Sequence, residues 1–263
     1  MRVLVTGSSG AIGRTVVSGL FSRGHTLRGI DVLEPERGLA ALLPLGAFIG
    51  DVTDPVVAAD AVSGVDAVVH LAGNPSEAPL PEALASHALT TASLLDAMLS
   101  HEVRRIVYAS SNHAVGLVPR GEVLRTDVLP RPDTFYGVGK VAAEGLLSLY
   151  ADRFGIEAVA LRIGSFLPEP TTRRQLATWL SYGDAVRLVD AALTGPVDGF
   201  TPVYGISANT RAWWDLEPGR RLGYEPRDDA EAYAGRIGER EEDEAEGAYV
   251  GGPFAVMPLR KAL

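Results

Sequence analysis

Through the first 165 residues, short runs of Val, Leu, Ile and Ala alternate with longer stretches of helical periodicity. The runs Arg2–Thr6, Thr26–Asp31, Ala47–Asp51, Ala67–Ala72, Arg105–Ser111 and Glu157–Gly164 predict six strands. Their near-continuous apolar content suits a parallel sheet covered on both faces, where neither side of a strand meets water. Helices are predicted between them at Ala11–Ser22, Pro55–Val62, Glu82–Ser100 and Phe135–Phe154. This alternation predicts an α/β fold, a doubly wound parallel sheet with right-handed crossovers.

Beyond Gly164 the pattern breaks. Pro168, Pro170, Pro196 and Pro202 interrupt the chain, and proline cannot donate to a helix or sheet ladder. Helical runs are predicted at Arg173–Leu180 and Asp184–Thr194, and Phe200–Ser207 reads as a seventh strand. Residues 1–164 therefore read as the nucleotide-binding sheet. Residues 165–263 read as a small substrate-covering lobe, interleaved with the sheet in one compact unit. Glu239–Glu246 is mostly acidic and reads as a solvated or frayed segment.

Composition narrows the class. Of 263 residues 46% are hydrophobic and 22% charged, as expected of a soluble globular protein. No apolar stretch approaches the roughly 18 residues of a membrane span, so no membrane partner is expected. The N-terminus enters a strand pattern at once, without an export signal, and a cytoplasmic location is expected. There is no cysteine, which excludes disulfides, thiol catalysis and cysteine-based zinc sites. Lys plus Arg is 24 and Asp plus Glu is 33, giving 24 − 33 = −9. Such a chain repels phosphate backbones, so nucleic acid is not an expected partner. An anionic substrate would need a specific basic residue in its pocket.

Candidate chemistry gathers at the carboxyl ends of the predicted strands. Gly7, Gly10 and Gly13 lie between the first strand and the first helix. Glycines there let the backbone approach a pyrophosphate, and the helix N-terminus aims N–H groups at it. Ser9, Ala11 and Ile12 belong to the same turn. Asp31 ends the second strand, where a carboxylate can accept ribose hydroxyls and repel a 2′-phosphate, which favours NAD over NADP. Asp51 and Val52 end the third strand, and Leu71, Ala72 and Gly73 end the fourth. Ile163, near the end of the sixth, completes the expected cofactor contacts of a Rossmann-type site.

Tyr136 and Lys140 stand four residues apart and share one face of a predicted helix. A free phenol has a pKa near 10, too high for a base at neutral pH. The Lys140 ammonium and an oxidised nicotinamide would both favour the phenolate. Ser111, at the end of the fifth strand, can hold the reacting oxygen. The expected chemistry is coupled hydride and proton transfer.

Thr6–Gly13, Asp31, Asp51, Leu71–Gly73, Ser111 and Tyr136 with Lys140 resemble the extended short-chain dehydrogenase/reductase superfamily. A narrower set is similar to bacterial NAD-dependent uronate dehydrogenases: Ser110–Gly116, Arg131-Pro132-Asp133, Arg162–Ser165, Pro168-Glu169-Pro170 and Trp213-Trp214-Asp215. That resemblance implies oxidation of an aldohexuronate at C1 to an aldarolactone, and a homo-oligomer is expected. It implies that Ser111 and Tyr136 bind the C1 hydroxyl and that Asn112, His113 and Ser165 contact the sugar. Arg174 is implied to pair with the C6 carboxylate, although adjacent Arg173 leaves the register open. A guanidinium offers a planar fork suited to that carboxylate.

The chain departs from the family pattern at three places. Gly73-Asn74-Pro75-Ser76 stands where a substrate-contacting serine is usual, so Ser76 falls one residue late; with a loop shift to restore the contact, Ser76 is the expected substrate-binding residue there. Gly139 replaces a usual serine, and His87 stands where asparagine is often found. The histidines show no i, i+3 or i, i+4 pairing, and no metal site is expected. Trp213 and Trp214 read as packing residues. A nucleotide-sugar epimerase or dehydratase on the same scaffold is the alternative enzyme. A nucleotide-sensing protein without catalysis is the alternative of another class.

Overall fold

Val3 and Val5 pack into one apolar cluster while Leu4, between them, packs into another. That two-residue alternation places a core on each face of the sheet. The structure, a computed structural model, describes residues 1–259. In chain order its strands are β1 (Arg2–Thr6), β2 (Thr26–Asp31), β3 (Ala47–Ile49), β4 (Ala67–His70), β5 (Arg105–Ser111), β6 (Glu157–Ile163), β7 (Ser165–Phe166), β8 (Trp179–Leu180) and β9 (Phe200–Gly205). Seven of them form one sheet in the order β3-β2-β1-β4-β5-β6-β9. Every pairing in it is parallel.

The chain runs outward from β1 to β3, then returns to β4 on the other side of β1. This reversal opens a crevice at the carboxyl ends of β1 and β4, where a doubly wound sheet binds ligands. Thr6 and His70 are register partners at that edge. On one face, helices Ala11–Ser22 and Tyr182–Thr194 contribute Val16, Leu20, Leu188 and Leu193 to the core. On the other, Pro55–Val62, Thr90–Ser100 and Phe135–Phe154 contribute Val62, Leu94, Met98 and Leu147. Among the described residues no helix is long and apolar enough to cross a membrane.

Three elements differ from the sequence expectation. The helix expected at 82–100 begins at Leu80 and is interrupted by a π-turn, Ala85–Leu89. Thr90 Oγ1 donates to Ser86 O at 2.7 Å, and Thr91 Oγ1 donates to His87 O at 2.6 Å. Hydroxyls competing for those carbonyls accompany the widened turn. The helix expected at 173–180 shrinks to Gln175–Thr178. Trp179 and Leu180 extend instead into β8, which pairs with β7, and Trp179 Nε1 donates to Leu167 O at 2.8 Å. The acidic segment is largely exposed, as a solvated stretch should be, but it is not frayed: a short helix forms at Asp243–Gly247. Arg240 reaches both Asp243 and Glu246 there, at 2.9 and 2.5 Å.

Candidate active site

The first helix starts with Gly10 as its N-cap and no side-chain cap. Its leading N–H groups stay open to an anion, with the positive end of the helix dipole behind them. Gly7 turns the chain out of β1 at φ +66°, and a Cβ there would stand 2.8 Å from Ala72 N. At Gly13 a Cβ would stand 2.1 Å from Gly7 O. Neither position admits a side chain, so bare backbone lines the crevice. Along the turn, Ser9 is buried, Ile12 half-buried and Ala11 exposed.

Asp31 accepts from Ser9 N–H at 2.9 Å and from Leu33 N–H at 3.0 Å. Those bonds orient its half-buried carboxylate beside the glycine turn. Arg14, in the first helix, is engaged by Ser9 O and by Glu36. Asp51 is exposed and Val52 buried at the next strand end. Thr6 Oγ1 accepts from Leu71 N–H and Ala72 N–H, at 3.2 and 3.1 Å, which ties the two turns together. The glycine cradle, the open helix start and the carboxylate rim fit a dinucleotide with a free 2′-hydroxyl.

Ser111, Tyr136 and Lys140 meet at the carboxyl ends of β5 and β6. Ser111 ends β5 and is paired in register with Ile163. The helix Phe135–Phe154 carries Tyr136 and Lys140 on the face toward the sheet. Lys140 Nζ donates to Ala109 O at 2.7 Å and lies 5.3 Å from the centroid of the Tyr136 ring. Burial pushes the Tyr136 phenol up to about 12, a bond with Ser111 pulls it down, and Asp133 adds to the rise. Burial likewise lowers Lys140 to about 7, opposed by Glu144. The sequence reading placed activation of the phenol on Lys140 together with oxidised nicotinamide. Burial is the largest influence on the phenol, and the protein group that favours the phenolate is Ser111.

Histidine rings flank the phenol. His87 meets Tyr136 edge-on with centroids 5.0 Å apart, and His113 does so at 5.8 Å. Burial, with the Lys140 charge second, lowers both His87 and His70 to about 3. Both rings are therefore neutral near pH 7. His113 Nδ1 lies 2.8 Å from Asp133 Oδ2.

The C-terminal segment walls the far side of the site. Val250 O accepts from Asn112 Nδ2 at 3.0 Å and from Arg174 Nη2 at 2.5 Å. Gly252 sits over the Arg174 guanidinium, so that a Cβ there would lie 2.2 Å from Nε. Phe254 packs on the His113 ring at 4.8 Å. Arg174 Nε is buried with no hydrogen-bond partner among the described residues. Burial lowers this guanidinium to about 10, against the raising effect of Glu246 and Asp133. A cavity of about 370 Å³ opens beside it, lined also by Arg120, Arg173, Trp213 and Val250. Arg173 is paired there with Glu239 at 2.7 Å, which separates the two adjacent arginines by role. Trp214 is buried against Tyr204, so only Trp213 reaches the cavity.

Ser165 Oγ bonds with Thr178 Oγ1 at 3.0 Å. Ser76 is exposed, and its N–H donates to Asn74 Oδ1 at 3.0 Å. No bond of Ser76 reaches the tyrosine cluster among the described residues. Its neighbour Glu77 does: Oε1 accepts from Phe135 N–H at 3.0 Å and Oε2 from Tyr136 N–H at 2.9 Å. Glu77 was missed in the sequence because no local pattern links it to a helix 58 residues on. Glu144 was also missed, though it was legible as the residue one turn beyond Lys140. It is buried, bonds Arg162 Nη2 at 2.8 Å and accepts from Ser110 Oγ at 2.5 Å.

The sequence model of the NAD dependent epimerase/dehydratase family matches residues 3–181. The chain belongs to that family and is an NAD-dependent oxidoreductase acting on a CH–OH group. Within it, the chain is similar to the uronate dehydrogenase of Agrobacterium fabrum strain C58. The two are 38% identical over 264 residues, which cover 99% of this chain and 98% of that protein. The crystal structure of glucuronic acid dehydrogenase from Chromohalobacter salexigens matches with a TM-score of 0.90 at 36% identity, covering 98% of this chain and 97% of that one. A tyrosine-to-alanine variant of the Agrobacterium tumefaciens uronate dehydrogenase, complexed with NAD, matches with a TM-score of 0.89 at 36% identity, covering 98% and 97%.

Proposed function

We propose that this protein oxidises a hexuronic acid, glucuronate or galacturonate, at C1 to the aldarolactone. The observation that carries the reading is Arg174, a guanidinium buried beside a cavity with its Nε unpartnered. A carboxylate entering from the cavity would give this guanidinium the ion pair it lacks among the described residues, where Val250 O engages Nη2 and the charges of Glu246 and Asp133 act without a salt bridge. A neutral hexose would leave it unpaired, and sites of that kind reject analogues lacking the expected group. Relatives named uronate dehydrogenase, similar along nearly their whole length, support the same substrate class.

Gly7–Gly13 would hold the pyrophosphate of NAD, Asp31 the adenosine ribose, and Leu71–Gly73 with Ile163 the approach to the nicotinamide. NAD, when bound, supplies the hydride acceptor and, while oxidised, a positive charge that favours the Tyr136 phenolate. Ser111 and Tyr136 hold the C1 hydroxyl, and Tyr136 receives its proton. Lys140, fixed on Ala109 O, keeps a donor beneath the phenol ring. Asn112, His113 and Arg174 orient the sugar so that C1 faces the acceptor, a contribution of positioning rather than of proton transfer.

The test is NADH absorbance with glucuronate, galacturonate and the matching neutral hexoses. The acids are expected to turn over at least about 100-fold faster than the neutral sugars. Preference for neutral hexoses removes the carboxylate from the argument. NAD retained without NADH accumulation, while a nucleotide sugar is interconverted, shows an epimerase instead. Tyr136→Phe is expected to lose about 10²- to 10⁴-fold in turnover with NAD binding kept.

A further inference from the structure

We propose that Glu77 is a positioning residue for Tyr136, locking the loop after β4 onto the start of the helix that carries the phenol. The inference rests on the reading of Tyr136 as the base. Its two carboxylate oxygens accept from consecutive backbone N–H groups, Phe135 at 3.0 Å and Tyr136 at 2.9 Å. Thr134 Oγ1 accepts from the third, Gly137 N–H, at 3.0 Å. The helix therefore already has its own N-cap in Thr134, and a 20-residue helix packed on the core does not need a second one to form. Glu77 comes from a distant loop and binds the two consecutive amides that lead into the Cα of the reacting side chain.

That loop has a second attachment. It begins at Leu71–Gly73, which Thr6 Oγ1 ties to β1 beside the dinucleotide cradle. Asn74 N–H donates to Ser86 Oγ at 2.6 Å, fixing its middle to the π-turn under Tyr136. Glu77 closes the circuit by gripping the Tyr136 backbone. The loop that walls the dinucleotide site thus also sets where the phenol stands relative to Ser111. Only a carboxylate does this fully, because it offers two acceptor oxygens and no donor. A carboxamide offers one acceptor and turns an N–H toward the other amide.

Three variants, Glu77→Ala, Glu77→Gln and Glu77→Asp, separate positioning from plain stability. Turnover is expected to fall about 10- to 100-fold in Glu77→Ala and Glu77→Gln. Glu77→Asp, which keeps both oxygens on a shorter stem, is expected to recover part of the loss. The KM for NAD is expected to change little. Hydrogen exchange at the Phe135 and Tyr136 amides should quicken in Glu77→Ala, and this readout needs no substrate. Titration of the phenol in NAD-saturated protein, taken as the difference from Tyr136→Phe, should show less phenolate at a given pH in Glu77→Ala. Unchanged turnover and phenol titration in all three variants, with only thermal stability lowered, make Glu77 a helix cap and nothing more. A raised KM for NAD at unchanged kcat assigns it to the cofactor loop instead. If Tyr136→Phe keeps its rate, the base assignment fails, and the exchange and titration data still decide whether Glu77 holds the tyrosine.

Discussion

Gly139 and His87 divide one volume between them: a Cβ on Gly139 would stand 2.9 Å from His87 Cδ2 and 2.8 Å from Ala83 O. The two positions, far apart in sequence, are one packing event beneath Tyr136. The imidazole fills what a side chain at 139 would otherwise occupy, and the bare helix backbone approaches the π-turn.

Gly139→Ser tests that pairing. Helix propensity alone would favour the serine by a few tenths of a kcal/mol. Overpacking against a backbone oxygen and a buried ring costs about 1–3 kcal/mol. The clash should win, lowering Tm and, through Tyr136, turnover. In a His87→Asn background the cost should shrink, giving a coupling of about 0.5 kcal/mol or more in a double-mutant cycle of denaturant unfolding. Strict additivity would mean that the two positions do not share space.

Acid should destabilise the protein earlier than its carboxylates dictate. His70 and His87 are held at about 3 by burial, whereas the unfolded chain protonates them near 6.5. Between those values the unfolded state binds more protons, so stability falls as pH drops below about 6.5, by up to about 1.4 kcal/mol per pH unit for each histidine. Urea unfolding as a function of pH measures the slope. Replacing His87 with Gln should flatten it by about one proton, and an unchanged slope would show that His87 does not contribute.

The oxidation rate should rise with pH along one acid limb. On the proposed mechanism the phenol, pushed up to about 12 by burial, must lose its proton to act, and a base is effective only above its pKa. Charge from bound oxidised NAD lowers that value, so the midpoint of kcat should lie well below the midpoint for ionising the phenol without NAD. Stopped-flow rates and a spectroscopic tyrosine titration supply the two midpoints. Coincident midpoints would remove the cofactor's charge from the activation.

Gly252→Ala should impair sugar recognition and spare the cofactor. Its φ of +65° is costly for alanine, and the new Cβ would lie 2.2 Å from Arg174 Nε. On the proposed reading, displacing that guanidinium removes orientation of the carboxylate. The KM for uronate is expected to rise about tenfold or more while the KM for NAD is unchanged. Equal increases in both would place the damage in the sheet rather than at Arg174.

The sheet was legible because a strand buried on both faces carries its own signature, as Val3–Val5 and Val68–Val69 do. The tyrosine and lysine were legible because helical spacing puts them on one face. What escaped were contacts made across the fold. The grip of Glu77 on Tyr136 N–H spans 59 positions, and that of Val250 on Asn112 spans 138, distances at which periodicity carries nothing. The π-turn escaped because no apolar pattern marks it, and the Thr90 and Thr91 hydroxyl bonds that accompany it are visible only in the fold. Desolvation of the phenol escaped for a related reason, since burial depends on everything packed around a group.

The carbonyl of Val250 anchors both Asn112 and Arg174, yet the ribosome makes it more than two hundred residues after the glycine turn. A growing chain therefore carries its glycine turn long before it has the carbonyl on which the proposed sugar-binding Asn112 and Arg174 converge. Cleavage just upstream of Tyr249 would remove the one carbonyl that Asn112 Nδ2 and Arg174 Nη2 share.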